Sequence, residues 1–221
     1  MRILPTTQAI NKLVQIEFEV RKAEKEFIKP SSQRRYSIDH WSFRTRAPRK
    51  ARHAITSAFL LLSHIQEARE AGGLELSPDW RCADLGSGLG MSTFSLALRF
   101  GFIKVIGYEL DKKVISRAER TRQRHGIGNV RFEYKDFLEE DLSPYKLLYI
   151  YQPFFENFVE YMNLPMLETA PGTIIISRIA SFFREQIFVE PFFRLIYASP
   201  KNQPSNPFLA EFYTYQRTAY G

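Results

Sequence analysis

The chain has 221 residues, of which 44% are hydrophobic and 25% charged, a balance typical of a globular catalytic domain with an extension. Its net charge of +7 is uneven, since residues 1–76 carry 14 basic and 8 acidic side chains, whereas residues 77–221 carry 17 and 16. A single cysteine, Cys82, excludes an intrachain disulfide and a cysteine zinc site, and we expect it to be a buried apolar side chain.

Residues 7–29 have the apolar spacing of a helix that Pro30 ends, although residues 13–20 also alternate with the period of a strand. Residues 31–53 then combine seven arginines and lysines with Tyr36, Trp41 and Phe43. This composition suits phosphate contact and base stacking. The alternatives are a solvated loop that packs its aromatic side chains on the domain, or a segment that closes over a neighbouring site with Trp41 as a lid residue.

Residues 48–71 are predicted to form a second helix, which the pair Gly72-Gly73 ends. Its two histidines, His53 and His64, have no Cys, Asp or Glu at ligand spacing, so we expect no metal site. We therefore divide the chain into a basic helical extension, residues 1–76, and a main domain, residues 77–221. No signal peptide is visible, and the longest apolar run, residues 58–62, is too short to span a bilayer, so we expect a cytoplasmic protein.

The main domain begins with a predicted strand, residues 81–85, that leads into a glycine-rich turn and a helix over residues 91–100. Glycine is used where φ must be positive or where a ligand approaches the backbone. A second strand, residues 103–109, ends at Glu109, about 20 residues beyond the loop, where a nucleotide-binding βαβ unit places the carboxylate that binds ribose hydroxyls.

Further elements continue the alternation of strands and helices. We predict a helix over 112–125 capped by Asp111, strands over 129–134, 145–151 and 172–177, and a helix over about 155–168. Residues 188–198 and 208–217 then have the pattern of a terminal hairpin. The order predicts an α/β fold with a parallel sheet.

Three motifs in this order resemble those of class I S-adenosylmethionine-dependent methyltransferases: Asp84-Leu-Gly-Ser-Gly-Leu-Gly90, Gly107-Tyr-Glu-Leu110 and Lys135-Asp-Phe137. The resemblance covers about residues 80–180. It implies a Rossmann-like, doubly wound, mostly parallel seven-stranded sheet with an antiparallel C-terminal pair. It also implies S-adenosylmethionine as the cofactor.

The same resemblance implies a role for each motif residue. The loop residues Gly86, Ser87, Gly88 and Gly90 would pack against the amino-acid end of the cofactor, and Asp84 would face its ammonium group. Glu109 would accept both ribose hydroxyls, with Leu110 beside the adenine. Asp136 would accept the adenine amino group, with Phe137 against the ring. The alternative for Glu109 and Asp136 is a solvated acid at a strand end.

We expect the methyl acceptor at the carboxyl end of the fourth strand, where Tyr151-Gln152-Pro153-Phe154 stands. Tyr151 and Phe154 would line the channel for an amine, and Gln152 would orient it. The alternative is that the two aromatic side chains are core packing. Enzymes that methylate amino groups of bases often have an acid or amide and two prolines here, a pattern from which this chain departs.

The motifs 84–88 and 107–110 also resemble non-SET protein-lysine methyltransferases of the ATP-synthase c-subunit type. The leading hypothesis is therefore methyl transfer to a nitrogen of a macromolecule, with protein lysine favoured. An RNA or DNA methyltransferase that uses residues 31–53 is the second hypothesis. A small-molecule methyltransferase and a non-catalytic cofactor-binding module are the remaining alternatives.

Overall fold

The computed structural model describes residues 6–27, 58–151, 168–178, 192–199 and 212–219. These ranges contain helices α1 (Thr6–Phe27), α2 (Ala58–Gly72), α3 (Met91–Phe100) and α4 (Lys112–Arg124), and a short 3-10 turn, Phe137–Glu139. The strands are β1 (Arg81–Leu85), β2 (Lys104–Glu109), β3 (Val130–Tyr134), β4 (Leu147–Tyr151), β5 (Ile174–Arg178), β6 (Phe193–Ala198) and β7 (Phe212–Arg217).

The strands form one seven-stranded sheet in the order β3-β2-β1-β4-β5-β7-β6. Strands β1 to β5 run parallel, whereas β7 is antiparallel to both β5 and β6. This arrangement confirms the predicted fold class. The chain moves outward from β1 to β3 and then returns to β4 on the other side of β1. Because open α/β sheets bind ligands where the strand order reverses, the carboxyl ends of β1 and β4 are the expected site.

Apolar side chains cover both faces of the sheet, which explains why strands such as Leu147–Tyr151 are apolar throughout. The first face packs against all four helices, and α1 contributes Leu13, Ile16 and Val20 to this cluster. The helical prediction for residues 13–20 is therefore confirmed over the strand alternative. The division of the chain at residue 77 stays a prediction.

Cys82 is buried as the sequence predicted, and His64, which the sequence left open as solvated or buried, is buried as well. Cys82 lies in β1 with no exposed surface. His64 joins α2 to the β6–β7 pair, with Nδ1 2.6 Å from Ser199 Oγ and Nε2 2.8 Å from Thr214 Oγ1. Its ring also stacks on Phe212 at 4.9 Å. Burial lowers the pKa of His64 to about 4, so the imidazole is neutral at pH 7.

Several predicted boundaries shift by a few residues. Strand β2 begins at Lys104 because Ile103 lies outside the ladder and is exposed. Strand β5 begins at Ile174, after a turn in which Gly172 has a φ of 85°. The predicted helix over 155–168, the loop after β6 and the basic stretch over 31–53 fall wholly or almost wholly outside the described residues. Within the ranges that the structure covers, no helix has the length and apolarity that a membrane crossing requires.

Candidate cofactor-binding site

The glycine loop lies between β1 and α3 and is fastened to the end of β2. The N–H groups of Gly86 and Ser87 both donate to the carbonyl oxygen of Tyr108, at 3.0 and 2.8 Å. Gly86, Gly88 and Gly90 all have positive φ, at 80°, 54° and 87°. A side chain at any of these positions would be strained, which is why the loop needs three glycines.

The three glycines differ in the space beside them, and this difference indicates different roles. A Cβ atom added at Gly86 or Gly88 would meet no atom within 4 Å, whereas one at Gly90 would lie 2.5 Å from Phe132 Cζ. Gly86 and Gly88 therefore border open space that a ligand can enter, and Gly90 lets the first turn of α3 pack on β3. Gly107 has a packing role as well, since its Cβ would lie 2.8 Å from Ser87 Cβ.

Glu109, the last residue of β2, accepts hydrogen bonds from the backbone of the glycine loop and from the residues that follow β2. Its Oε2 atom accepts the N–H of Gly88 at 3.0 Å. Its Oε1 atom accepts the N–H groups of Leu110 and Asp111, at 2.8 and 3.0 Å. The carboxylate is thus fixed beside the open glycine, and it is half-buried. A pair of hydroxyl donors on a ribose would find two ordered acceptor oxygens here.

Asp84 lies at the end of β1 and is 1% exposed. Its Oδ2 atom accepts hydrogen bonds from Ser92 Oγ and Thr93 Oγ1, both at 2.6 Å. Burial raises the pKa of Asp84 to about 6, against the opposing effect of these hydroxyl donors. The carboxyl group therefore joins β1 to the first turn of α3. The sequence analysis did not name Ser92 and Thr93, although their place directly behind the glycine loop was a usable signal.

Asp136 and Phe137 lie beyond β3, on the side of the sheet where β2 and β3 end. Asp136 Oδ1 accepts the N–H of Leu138 at 3.0 Å and so begins the 3-10 turn. Burial raises the pKa of this carboxyl group above its ordinary value. Phe137 is buried in the second apolar cluster, and Leu110 is half-buried after β2. Strands β2 and β3 end side by side, with Glu109 opposite Tyr134, so the second and third motifs meet at this edge.

Of the predicted acceptor residues, the structure describes the backbone of Tyr151, which ends β4 opposite Arg178 of β5. Gln152 and Phe154 fall outside the described residues. In the pairing of β1 with β4, Leu85 lies opposite Ile150. Tyr151 therefore lies just past the end of β1 and beside the start of the glycine loop. The roles of these three residues stay predictions.

A cavity of about 380 Å³ lies at the opposite edge of the sheet, where β2 and β3 begin, and Lys104, Arg122 and Asn129 contribute to its lining. None of the predicted site residues borders it. Because ligands of open α/β sheets bind at the carboxyl ends of the strands, this cavity is not the cofactor site.

The residues at the carboxyl edge fit the chemistry of S-adenosylmethionine. The open backbone at Gly86 and Gly88 admits a ligand, and the ordered carboxylate of Glu109 supplies acceptors for vicinal hydroxyls. The role of Asp84 toward the ammonium group of the cofactor stays a prediction, since its carboxyl group is buried against Ser92 and Thr93. In the parts of the chain that the structure covers, no group of His, Cys, Asp and Glu could hold a metal ion.

Solved structures with this fold include several methyltransferases. The Escherichia coli protein yhhF aligns with a TM-score of 0.59 and 16% identity, over 79% of this chain and 92% of that one. An RNA methyltransferase from Salinibacter ruber, solved with S-adenosyl-L-homocysteine, aligns with a TM-score of 0.55 and 16% identity, over 76% and 95%. An rRNA methylase from Streptococcus thermophilus aligns with a TM-score of 0.54 and 15% identity, over 71% and 95%.

The sequence itself matches two curated relatives over a shorter stretch. The chain is 37% identical over 70 residues to the 23S rRNA (uracil(1939)-C(5))-methyltransferase RlmD of Xanthomonas euvesicatoria pv. vesicatoria. RlmD of Xanthomonas axonopodis pv. citri matches equally well. Each match covers 32% of this chain and 15% of the relative, so this chain shares only a small part of those proteins.

The sheet order and the three motifs at its carboxyl edge define a class I S-adenosylmethionine-dependent methyltransferase. Residues 76–200 match the family model of the methyltransferase domain, and the chain belongs to that family. The predictions of class, enzyme type and cofactor are thereby confirmed.

Proposed function

We propose that this protein transfers a methyl group from S-adenosylmethionine to a nitrogen atom of RNA. The observation that carries the proposal is the sequence match to the two 23S rRNA methyltransferases, at 37% identity. Protein lysine, which the motif resemblance alone favoured, has no comparable support among these relatives. RNA therefore replaces protein lysine as the favoured substrate.

The charge distribution supports a polyanionic substrate. The net charge is +7, of which residues 1–76 contribute +6, as 14 basic minus 8 acidic side chains. A basic extension beside a nearly neutral catalytic domain attracts a phosphate backbone without perturbing the cofactor site. Residues 31–53, which add aromatic side chains to this charge, are the segment that we expect to contact the nucleotides.

The buried cysteine argues against extending the carbon methylation of these relatives to this chain. The relatives methylate C5 of uracil, a carbon that becomes nucleophilic when a nucleophile such as a thiolate adds to the neighbouring carbon. Cys82 has no exposed surface, and burial raises the pKa of its thiol well above the ordinary value. Since the sequence has no other cysteine, we do not extend carbon methylation to this chain.

S-adenosylmethionine supplies an electrophilic methyl group on a sulfonium, whose leaving group is a neutral thioether. The protein must therefore position the acceptor and exclude water more than it must move protons. In this proposal Gly86, Gly88 and Glu109 hold the cofactor, with Asp84 facing its ammonium group and Asp136 its adenine. Gln152 accepts a hydrogen bond from the acceptor amine, and the aromatic side chains of Tyr151 and Phe154 enclose it.

The test is transfer of tritiated methyl groups to a cell extract, followed by separate digestion with nuclease and with protease. We expect the label to be released by nuclease and to elute with N-methylated nucleosides on chromatography. Label that only protease releases would show that the substrate is a protein and that the RNA assignment is wrong. Label in 5-methyluridine would show that the nitrogen assignment is wrong while the RNA assignment is right.

A further inference from the structure

The outer surface of α4 carries a concentrated positive charge that the cofactor site does not use. The helix has six basic residues and one acidic residue, Glu119. Its buried face consists of Val114, Ala118 and Thr121, and Ile115 packs against the same cluster. Lys113 and Arg120 are exposed and Arg117 is half-buried.

These three cations and Arg124 lie at spacings of four, three and four residues, which places them in one row along the helix. We call this row, Lys113, Arg117, Arg120 and Arg124, the α4 stripe. It extends for about 16 Å, at a rise of 1.5 Å per residue.

Most of the α4 stripe is not neutralised. Arg124 donates to Glu19 of α1 at 2.6 Å, and Arg122, which lies beside the stripe, pairs with Glu119 at 2.6 Å. Lys113, Arg117 and Arg120 have no acidic partner among the residues that the structure describes. Three like charges held side by side repel one another, and a polyanion relieves that repulsion.

The position of α4 connects the stripe to the cofactor edge. The helix begins directly after Glu109 and Asp111, so Lys113 lies at the carboxyl edge of the sheet and Arg124 at the opposite edge. Strand β2, which precedes the helix, is separated from β4 by β1 alone. At about 4.8 Å between neighbouring strands, the end of the stripe is within a few nucleotides of the expected acceptor position.

We propose that the α4 stripe is a docking surface for the phosphate backbone of the RNA substrate. This inference rests on the proposed function, since it assigns part of the recognition of the same RNA. The stripe would bind the backbone without reading base sequence and would direct the strand toward the carboxyl ends of β1 and β4. Each cation that contacts a phosphate releases bound counterions, which makes the affinity depend on salt.

The experiment compares two triple variants of the full chain. The stripe variant is Lys113→Gln, Arg117→Gln, Arg120→Gln. The control variant, Arg69→Gln, Lys146→Gln, Arg194→Gln, removes the same charge from exposed positions outside α4. Binding of a fluorescent 20-nucleotide RNA is measured by anisotropy over a range of salt concentrations. Cofactor titration and thermal melting establish that both variants remain folded.

We expect the stripe variant to bind RNA ten- to a hundredfold more weakly at ~0.1 M salt, with a slope of log affinity against log salt that is smaller by about 2. The control variant should stay near wild type. Equal RNA affinity in the two variants would refute the docking role of the α4 stripe, while RNA would remain the proposed substrate. No RNA binding by the wild type would overturn both the stripe and the proposed substrate.

Discussion

Replacing Glu109 by Gln is the sharpest perturbation of the cofactor site. The carboxylate is ordered by three backbone donors, from Gly88, Leu110 and Asp111. Glutamine has nearly the same shape but loses the negative charge, and one of its two terminal atoms becomes a donor. The substitution therefore weakens the interaction with both ribose hydroxyls, and it leaves an N–H group facing a backbone donor.

The magnitude follows from the number and type of hydrogen bonds. A hydrogen bond to a charged group contributes roughly 1.5–3 kcal/mol, and two such bonds on one carboxylate are not additive. We expect a loss of about 2–3 kcal/mol in cofactor affinity, which is a factor of roughly 30 to 150. A displaced glycine loop is a second cause of lost affinity, because Glu109 also binds Gly88.

A double-mutant cycle separates the two causes. Calorimetric titration with S-adenosyl-L-homocysteine and with its 2′-deoxy analogue is performed on the wild type, on Glu109→Gln and on the control Glu133→Gln, a β3 carboxylate paired with Arg131. We expect the analogue to bind more weakly than the parent ligand to the wild type and to the control, and the difference to be smaller for Glu109→Gln. If removing the hydroxyl weakens binding to all three proteins alike, Glu109 does not contact the ribose.

Three further predictions concern the loop, the buried titratable groups and the acceptor site. Gly88→Val should abolish cofactor binding in calorimetry, since φ is 54° and the space beside Gly88 is needed by the ligand; a variant that binds normally would contradict this. The folded pKa of His64 is about 4, so acidification from pH 6.5 to 4 protonates His64 in the unfolded chain but not in the folded one. The free energy of unfolding should therefore fall by about 3 kcal/mol over this range. Asp84 has a raised folded pKa of about 6, so between pH 6 and 3.8 the folded chain binds its proton before the unfolded chain does. This effect should raise the free energy of unfolding by about 3 kcal/mol as the pH falls. Urea unfolding of His64→Gln and Asp84→Asn should therefore give pH profiles that diverge from wild type in opposite directions, and parallel profiles would refute the assignment. Gln152→Ala and Tyr151→Phe should lower turnover with cofactor affinity and melting temperature unchanged; full activity in both variants would show that the acceptor site lies elsewhere.

Local sequence signals were sufficient to predict the strands and the cofactor loop. The run from Arg81 to Gly90 combines an apolar strand with three glycines, and the positive φ values at residues 86, 88 and 90 show why glycine is favoured there. The hairpin prediction was also confirmed, because β7 pairs with β6. Boundaries were less accurate where a single residue decides them, as at Ile103, whose apolar character suggested a strand although it is exposed.

Contacts between distant parts of the chain were not predictable from the local pattern. The hydrogen bond from Gly88 N–H to Glu109 joins residues 21 positions apart, and His64 reaches Thr214 across 150 positions. Spacing could place Glu109 at the correct edge but could not show that it orders the loop. The substrate was predicted less well than the cofactor, since the motifs at 84–88 and 107–110 serve the cofactor, which is common to enzymes with different acceptors.

Calorimetric titration of the wild-type protein with S-adenosylmethionine tests the central claim most directly, with Gly88→Val as the non-binding control. The account predicts saturable binding of one cofactor molecule per chain to the wild type, and no binding to the folded variant. Absence of heat at ~1 mM cofactor, a concentration that would detect a binding free energy of about −4 kcal/mol, would contradict it if circular dichroism shows that the wild type is folded.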